Sequence, residues 1–179
     1  MSKQWILVAA IVGSLAAGAV LLAELGPHGA SVEIGARAPD FKAIDLASGD
    51  SVALHQRYHG TVTLVNIWAT WCAPCRVEMP AMEKLYLNLA PQGFKIAAVS
   101  IDEGPPGDVI AFGQKLGLSF DLLQDRSTRI QRIYQTTGVP ESFLLNRQGV
   151  IVKRVIGAHD WNSPVNRGLV QRLLDEQGP

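Results

Sequence analysis

The stretch Trp71-Cys72-Ala73-Pro74-Cys75 holds the only two cysteines of this 179-residue chain. A disulfide between residues so close in sequence closes a small loop, which removes little conformational entropy from the unfolded chain. Such a bond is a poor structural staple. Two thiols at this spacing do form a reversible two-electron couple that exchanges with the disulfides of other molecules. The pattern therefore indicates a redox-active disulfide, Cys72–Cys75.

The residues on either side of the cysteine pair predict a strand before it and a helix after it. Residues Val62–Trp68 are β-branched and almost all apolar, which is typical of a strand buried on both faces. After Cys75, apolar residues recur at helical spacing as far as Leu89. This context is typical of a thioredoxin-like redox site.

Cys72 is predicted to lie at the start of that helix. Free backbone N–H groups and the positive end of the helix dipole favour a thiolate there. We therefore expect Cys72 to be the exposed nucleophile. Cys75, one turn inside the helix, is expected to be the shielded resolving thiol.

Composition and spacing argue against three other kinds of function. Charged residues make up 18% of the chain and the formal net charge is zero, so no basic face for nucleic acid is expected. The four histidines are scattered and there is no second cysteine pair, so no metal site is predicted. Covalent haem attachment needs a histidine directly after the second cysteine, and Arg76 occupies that position.

The N-terminus contains a second informative segment. Residues 5–23 carry no charged side chain and follow Lys3. As a helix they would measure about 30 Å, the thickness of a bilayer hydrocarbon core. We interpret residues 1–25 as a signal-anchor transmembrane segment, 26–32 as a linker and 33–179 as one domain. A cleaved signal peptide is the main alternative, and a buried helix of the soluble fold is another. Either of the first two would send the domain across a membrane, where disulfides persist.

The remaining patterns predict alternating strands and helices. Strands are expected at residues 43–46, 51–54, 62–68, 95–101, 120–123, 142–145 and 150–155. Helices are expected from the cysteine pair through Pro80 to Gly93, at 109–116 behind an Asp108 cap, at 128–134, and from Pro164 to about residue 176. This order predicts an α/β fold with a mixed sheet flanked by helices and an N-terminal β-hairpin extension.

Three stretches resemble one known family over roughly residues 33 to 176. The cysteine motif with Arg76 and Glu78-Met79-Pro80 resembles the membrane-anchored, thioredoxin-like thiol:disulfide oxidoreductases of the TlpA/ResA/DsbE (CcmG) type. The stretch Ala38-Pro39-Asp40-Phe41 is similar to the start of that group and of the peroxiredoxins. Residues 138–145 resemble the family's cis-proline segment. The resemblance implies a thioredoxin-like fold.

The same resemblance implies roles for further residues. Val139–Pro140 would be a cis peptide bond against the dithiol, and Trp71, Val139 and Glu141 would contact the substrate. For Glu141 a solvated charge at a strand start is the alternative. Thioredoxin carries a buried acid where this chain has Asn66. Glu78 matches an acid of the membrane-tethered group, so we expect it to accept and donate the proton of Cys75. A solvent-facing helix glutamate is the alternative.

The resemblance implies a protein-disulfide reductase on the outer face of a bacterial inner membrane, facing the periplasm as a single-pass monomer. Its expected substrates are protein disulfides, such as those of apocytochrome c or its maturation factors. Electrons would come from a membrane thiol carrier of the DsbD/CcdA type, without a further cofactor. A reductant for a copper-site assembly protein, a copper-binding chaperone and a thiol peroxidase are the alternatives.

Overall fold

The computed structural model describes residues 32–176 and, of the first 31 residues, only residues 4, 8, 11–15 and 18, which are helical. The predicted transmembrane segment, 1–25, and linker, 26–32, therefore lie mostly outside the described residues. Among those that are described, no helix combines the length and the apolar character needed to cross a bilayer.

Residues 32–176 form one seven-stranded sheet with helices between its strands. The strands are β1 (Lys42–Asp45), β2 (Ser51–Ala53), β3 (Val62–Trp68), β4 (Phe94–Ser100), β5 (Asp121–Gln124), β6 (Glu141–Leu145) and β7 (Ile151–Ile156). The helices are α1 (Leu54–Arg57), α2 (Ala73–Leu89), α3 (Pro106–Leu116), α4 (Arg129–Ile133) and α5 (Pro164–Asp175), with a 3-10 helix at Ala90–Gln92.

The sheet is mixed, as the sequence predicts, with strand order β2-β1-β5-β4-β3-β6-β7. β3 pairs in parallel with β4 and β4 with β5, whereas the other neighbouring strands are antiparallel. Every residue of β3 is buried. A strand buried on both faces must be covered on both, which explains its continuous apolar sequence. The thioredoxin-like α/β fold and the β1–β2 hairpin are confirmed.

Two local predictions were wrong. The extended residue Pro105, not Asp108, precedes α3, and Asp108 lies inside the first turn. Pro106 occupies the first helical position, where a missing N–H costs nothing and the fixed φ favours the helix. The second error concerns Leu54, which was predicted to end a strand but begins the short helix α1.

Candidate active site

Cys72 and Cys75 form a disulfide where β3 leads into α2. Cys72 is the N-cap of α2, and its Sγ accepts the N–H of Cys75 at 3.1 Å. That contact is the stabilisation expected for a sulfur at a helix start. Cys72 is 4% exposed and Cys75 fully buried, so Cys72 is the more accessible sulfur but not an openly exposed one.

The predicted cis-proline lies against the disulfide. The Val139–Pro140 peptide bond is cis. The carbonyl oxygen of Val139 is 3.5 Å from Cys72 Sγ, although the two residues are far apart in sequence. Pro140 is buried and Val139 half-buried. The cis bond implied by the family resemblance is therefore confirmed, while substrate docking at this segment stays a prediction.

Glu78 is a buried carboxyl on the same helix as the cysteines. Its side chain is 2% exposed, so the alternative of a solvent-facing glutamate is wrong. Oε1 accepts a hydrogen bond from Asn66 Nδ2 at 2.7 Å, and Oε2 accepts one from the backbone N–H of His159 at 3.1 Å. Burial penalises the charged form and outweighs these two hydrogen bonds, which raises the pKa of Glu78 to about 7. This carboxyl therefore changes protonation near neutral pH.

The side chain of Asn66, in β3, holds the Glu78 carboxyl in place. It is fully buried, and its Nδ2 donates to Ser142 Oγ at 2.9 Å as well as to Glu78. Asn66 and Ser142 are direct partners in the β3–β6 register, which places their side chains on one face of the sheet. Among the described residues, Asn66 Oδ1 has no hydrogen-bond partner. Where thioredoxin has a buried acid, this chain therefore has a neutral amide, Asn66, which donates a hydrogen bond to Glu78.

Glu141 is buried rather than solvated, so the alternative of a charge at an open strand start is wrong. It lies in β6 opposite Ile67 of β3 and Ile156 of β7, and is fully buried. Its Oε1 accepts a hydrogen bond from Arg154 Nε at 2.6 Å and forms an ion pair with Arg154 Nη2, also at 2.6 Å. Within the described chain Oε2 is buried without a partner. A role of Glu141 in binding a substrate stays a prediction.

The sequence analysis missed a clamp on the loop before Cys72. The Asp102 carboxylate accepts the Thr70 N–H at 2.9 Å, the Thr70 Oγ1 hydroxyl at 2.6 Å and the Ser100 Oγ hydroxyl at 2.6 Å. Asp102 is 8% exposed. A signal was available, because Thr70 and Asp102 follow adjacent parallel strands whose ends meet at Trp68 and Ser100.

Two apolar side chains close in sequence to the disulfide are exposed. Trp71 is 65% exposed and Val77 is 75% exposed. Arg76, between them on α2, is also exposed. Large exposed apolar groups beside a reactive pair are typical of a surface that contacts another protein.

Comparison with known proteins places this chain among thiol-disulfide oxidoreductases. The family model described as AhpC/TSA family matches residues 34–154. The thiol-disulfide oxidoreductase ResA of Geobacillus thermodenitrificans is 34% identical over 142 residues, covering 79% of this chain and 80% of the relative. ResA of Geobacillus kaustophilus is 35% identical over 127 residues, covering 71% of each.

Solved structures agree with the sequence relatives. The thioredoxin domain of a thiol-disulfide oxidoreductase from Bacteroides vulgatus superposes with a TM-score of 0.69 at 26% identity, covering 80% of this chain and 99% of that domain. A thiol:disulfide interchange protein from Bacteroides sp. gives a TM-score of 0.67 at 27% identity, covering 80% and 91%. In both, the similarity extends over nearly the whole compared chain.

Proposed function

Because this chain belongs to the AhpC/TSA family and is a thiol-disulfide oxidoreductase, we propose that it acts as a reductase of protein disulfides outside the cytoplasm, in cytochrome c maturation. The observation that carries the proposal is the Cys72–Cys75 disulfide, which lies against a cis-proline segment and directly follows the exposed Trp71. A reversible dithiol with an apolar surface beside it suits exchange with another polypeptide.

Reduction of a substrate proceeds through two exchanges. The Cys72 thiolate attacks one sulfur of the substrate disulfide, forms a mixed disulfide and expels the other substrate sulfur as a thiolate. The Cys75 thiolate then attacks Cys72 Sγ, which forms the Cys72–Cys75 bond and releases the second substrate sulfur. Two electrons pass to the substrate, and each released thiolate takes up a proton.

The proton that Cys75 loses needs an acceptor near a buried sulfur. Glu78 lies three residues after Cys75, on the same face of α2. Its pKa of about 7 lets it accept that proton when ionised and return it later near neutral pH. We assign Glu78 this proton-handling role and Asn66 the role of orienting its carboxyl, supported by the 2.7 Å hydrogen bond between them.

The substrate is expected to dock over Trp71 and Val139, on either side of Cys72. Trp71 supplies exposed apolar area, and the backbone before Pro140 can pair with an extended substrate segment. Unfolded apocytochrome c, with its Cys-x-x-Cys-His segment, is the proposed substrate class. A copper-site assembly protein would present the same chemistry.

The proposed location is the periplasmic face of a bacterial inner membrane, with residues 1–25 as the tether. The support is the uncharged stretch 5–23 and the resemblance to membrane-anchored oxidoreductases. A membrane thiol carrier of the DsbD/CcdA type would return the protein to its dithiol state. We expect it to act as a monomer.

Trapping in cells tests this proposal. The full chain carrying Cys75→Ser cannot resolve the mixed disulfide, so it should accumulate covalent adducts through Cys72. Adducts with apocytochrome c or its maturation factors are the expected result, and Cys72→Ser is the matched control that should form none. If only a copper-site assembly protein is recovered, that protein and not apocytochrome c is the substrate. If both variants form equal amounts of adduct, the assignment of Cys72 as the nucleophile is wrong.

A further inference from the structure

A cleft of about 420 Å³ lies far from the disulfide. Its wall includes Thr63 at the start of β3 and Leu145 at the end of β6, which are direct partners in the sheet register. The disulfide follows the opposite end of β3, after Trp68. At about 3.3 Å per residue, the length of β3 separates the two sites by roughly 20 Å.

The cleft is lined by two arginines and two histidines without a balancing acid. Arg37, His55, His59 and Arg147 all contribute to its wall. Among the described residues that line it, none is Asp or Glu. A concave site lined by one sign of charge concentrates the electrostatic potential and attracts ions of the opposite sign.

Two of these side chains are held in position by backbone carbonyls. Arg147 Nη2 donates to the Leu174 carbonyl at 2.8 Å and its Nη1 to the Gly60 carbonyl at 3.2 Å. His55 Nε2 donates to the Ala38 carbonyl at 2.8 Å. Side chains ordered in advance lose little entropy when a ligand binds. This wall of nitrogen donors is therefore partly preorganised.

The other two side chains, Arg37 and His59, are unpaired in the part of the chain that the structure describes. Neither the Arg37 guanidinium nor the His59 ring makes a hydrogen bond or an ion pair there, and both residues are exposed. A guanidinium binds phosphate oxygens through two parallel hydrogen bonds, a geometry that few other groups match. The threonine hydroxyls of the same wall add donors, and Leu54 and Leu145 add apolar surface.

Residues 35–38, near the start of the described domain, lie at this same end of the sheet. Gly35 N–H donates to the Ile151 carbonyl and Ala38 N–H to the Gly149 carbonyl, both at 2.8 Å, so the backbone on either side of Arg37 pairs with β7 and its preceding turn. We propose that the cleft binds a phosphate-bearing anion of the glycerophosphate type, either as a soluble ester or as an anionic phospholipid headgroup. The apolar surface, and the membrane tether proposed for residues 1–25, favour the headgroup.

Titration of the full chain in a nonionic detergent tests the proposal. The probes are inorganic phosphate, glycerol phosphate and dihexanoyl-phosphatidylglycerol, with dihexanoyl-phosphatidylcholine as the zwitterionic control and sodium chloride at matched ionic strength. NMR signals of the His55 and His59 rings report on the cleft. Saturable shifts with the phosphate anions, and not with chloride or phosphatidylcholine, are expected.

Charge-removing variants locate the binding site. Because the Arg37 guanidinium has no partner within the described protein, Arg37→Gln should leave the fold intact and weaken binding about tenfold, the loss expected for one charge-assisted contact. Lys84→Gln, which removes an exposed charge from α2, is the matched control and should bind as the wild type does. Tighter binding of phosphatidylglycerol than of glycerol phosphate identifies a headgroup site, and equal binding identifies a soluble ester.

Other outcomes overturn the proposal. Shifts that do not saturate, equal shifts with chloride or phosphatidylcholine, or equal weakening by Lys84→Gln would leave no specific anion site. Insulin reduction by Arg37→Gln should match the wild type, because the cleft is far from the disulfide. Loss of oxidoreductase activity in that variant would contradict the independence of the two sites without bearing on the function of the cysteines.

Discussion

Replacing Glu78 by Gln should change how the stability of the oxidised protein depends on pH. The buried carboxyl has a pKa of about 7 in the folded protein and 4.5 as its ordinary value. Between these values the folded state holds a proton that the unfolded state has released. The free energy of unfolding of the wild type must therefore fall as pH rises through this range. Gln cannot ionise, so the variant lacks this contribution.

The linkage relation gives the size of the effect. For a pKa raised from 4.5 to about 7, the wild type should lose about 2 kcal/mol of unfolding free energy between about pH 5.5 and about pH 8.5. Glu78→Gln should lose about 2 kcal/mol less over the same interval. The group is 2% exposed, so solvent screening reduces this difference little.

Urea unfolding followed by tryptophan fluorescence measures this difference. The disulfide must stay intact, so that neither cysteine titrates. Glu103→Gln is the matched control, because it removes an exposed carboxylate that makes no hydrogen bond or ion pair with the described residues. Its stability curve should run parallel to that of the wild type. If the Glu78→Gln curve also runs parallel to the wild type, the raised pKa is wrong and the proton-handling role loses its basis.

Three further substitutions test the contacts around the site. Asn66→Ala should raise the pKa of Glu78 further, because it removes a hydrogen bond that lowers this pKa in the wild type. The fall in unfolding free energy should then extend to higher pH than in the wild type. A fall that ends at lower pH would contradict this. Arg154→Met leaves the Glu141 carboxylate buried without its cation and should cost about 3–5 kcal/mol in urea unfolding, whereas a change under about 1 kcal/mol would contradict the buried ion pair. Asp102→Ala leaves the two Thr70 donors of the active-site loop and the Ser100 hydroxyl of β4 unsatisfied and should cost about 1–3 kcal/mol by the same measurement. An unchanged midpoint would mean that this clamp adds no stability.

Local signals in the sequence were sufficient for the elements that surround the disulfide. The apolar, β-branched run 62–68 predicts β3 with the observed bounds, and Ser163-Pro164 predicts the start of α5, where Ser163 caps the helix. These predictions succeed because capping and periodicity depend on neighbours within one or two turns. The bounds of other elements differ by a residue or more, since strand and helix ends depend on tertiary contacts.

Burial of the two glutamates could not be read from their neighbours. Both Glu78 and Glu141 had an exposed alternative, because a lone glutamate in a helix or strand usually faces water. Whether each is buried depends on what covers it. His159 reaches Glu78 from the segment before α5, and Arg154 reaches Glu141 from β7.

The amino-acid order alone determined the redox chemistry of this protein, because Cys72 and Cys75 lie one helical turn apart at a strand-to-helix junction. Family resemblance added the cis bond before Pro140. Only the tertiary structure decided which charges are buried, how Asn66 holds Glu78 and where the cationic cleft lies. These features depend on contacts between residues distant in sequence. The pKa of a carboxyl and the potential of a cleft are set by everything packed around them, which no local pattern records.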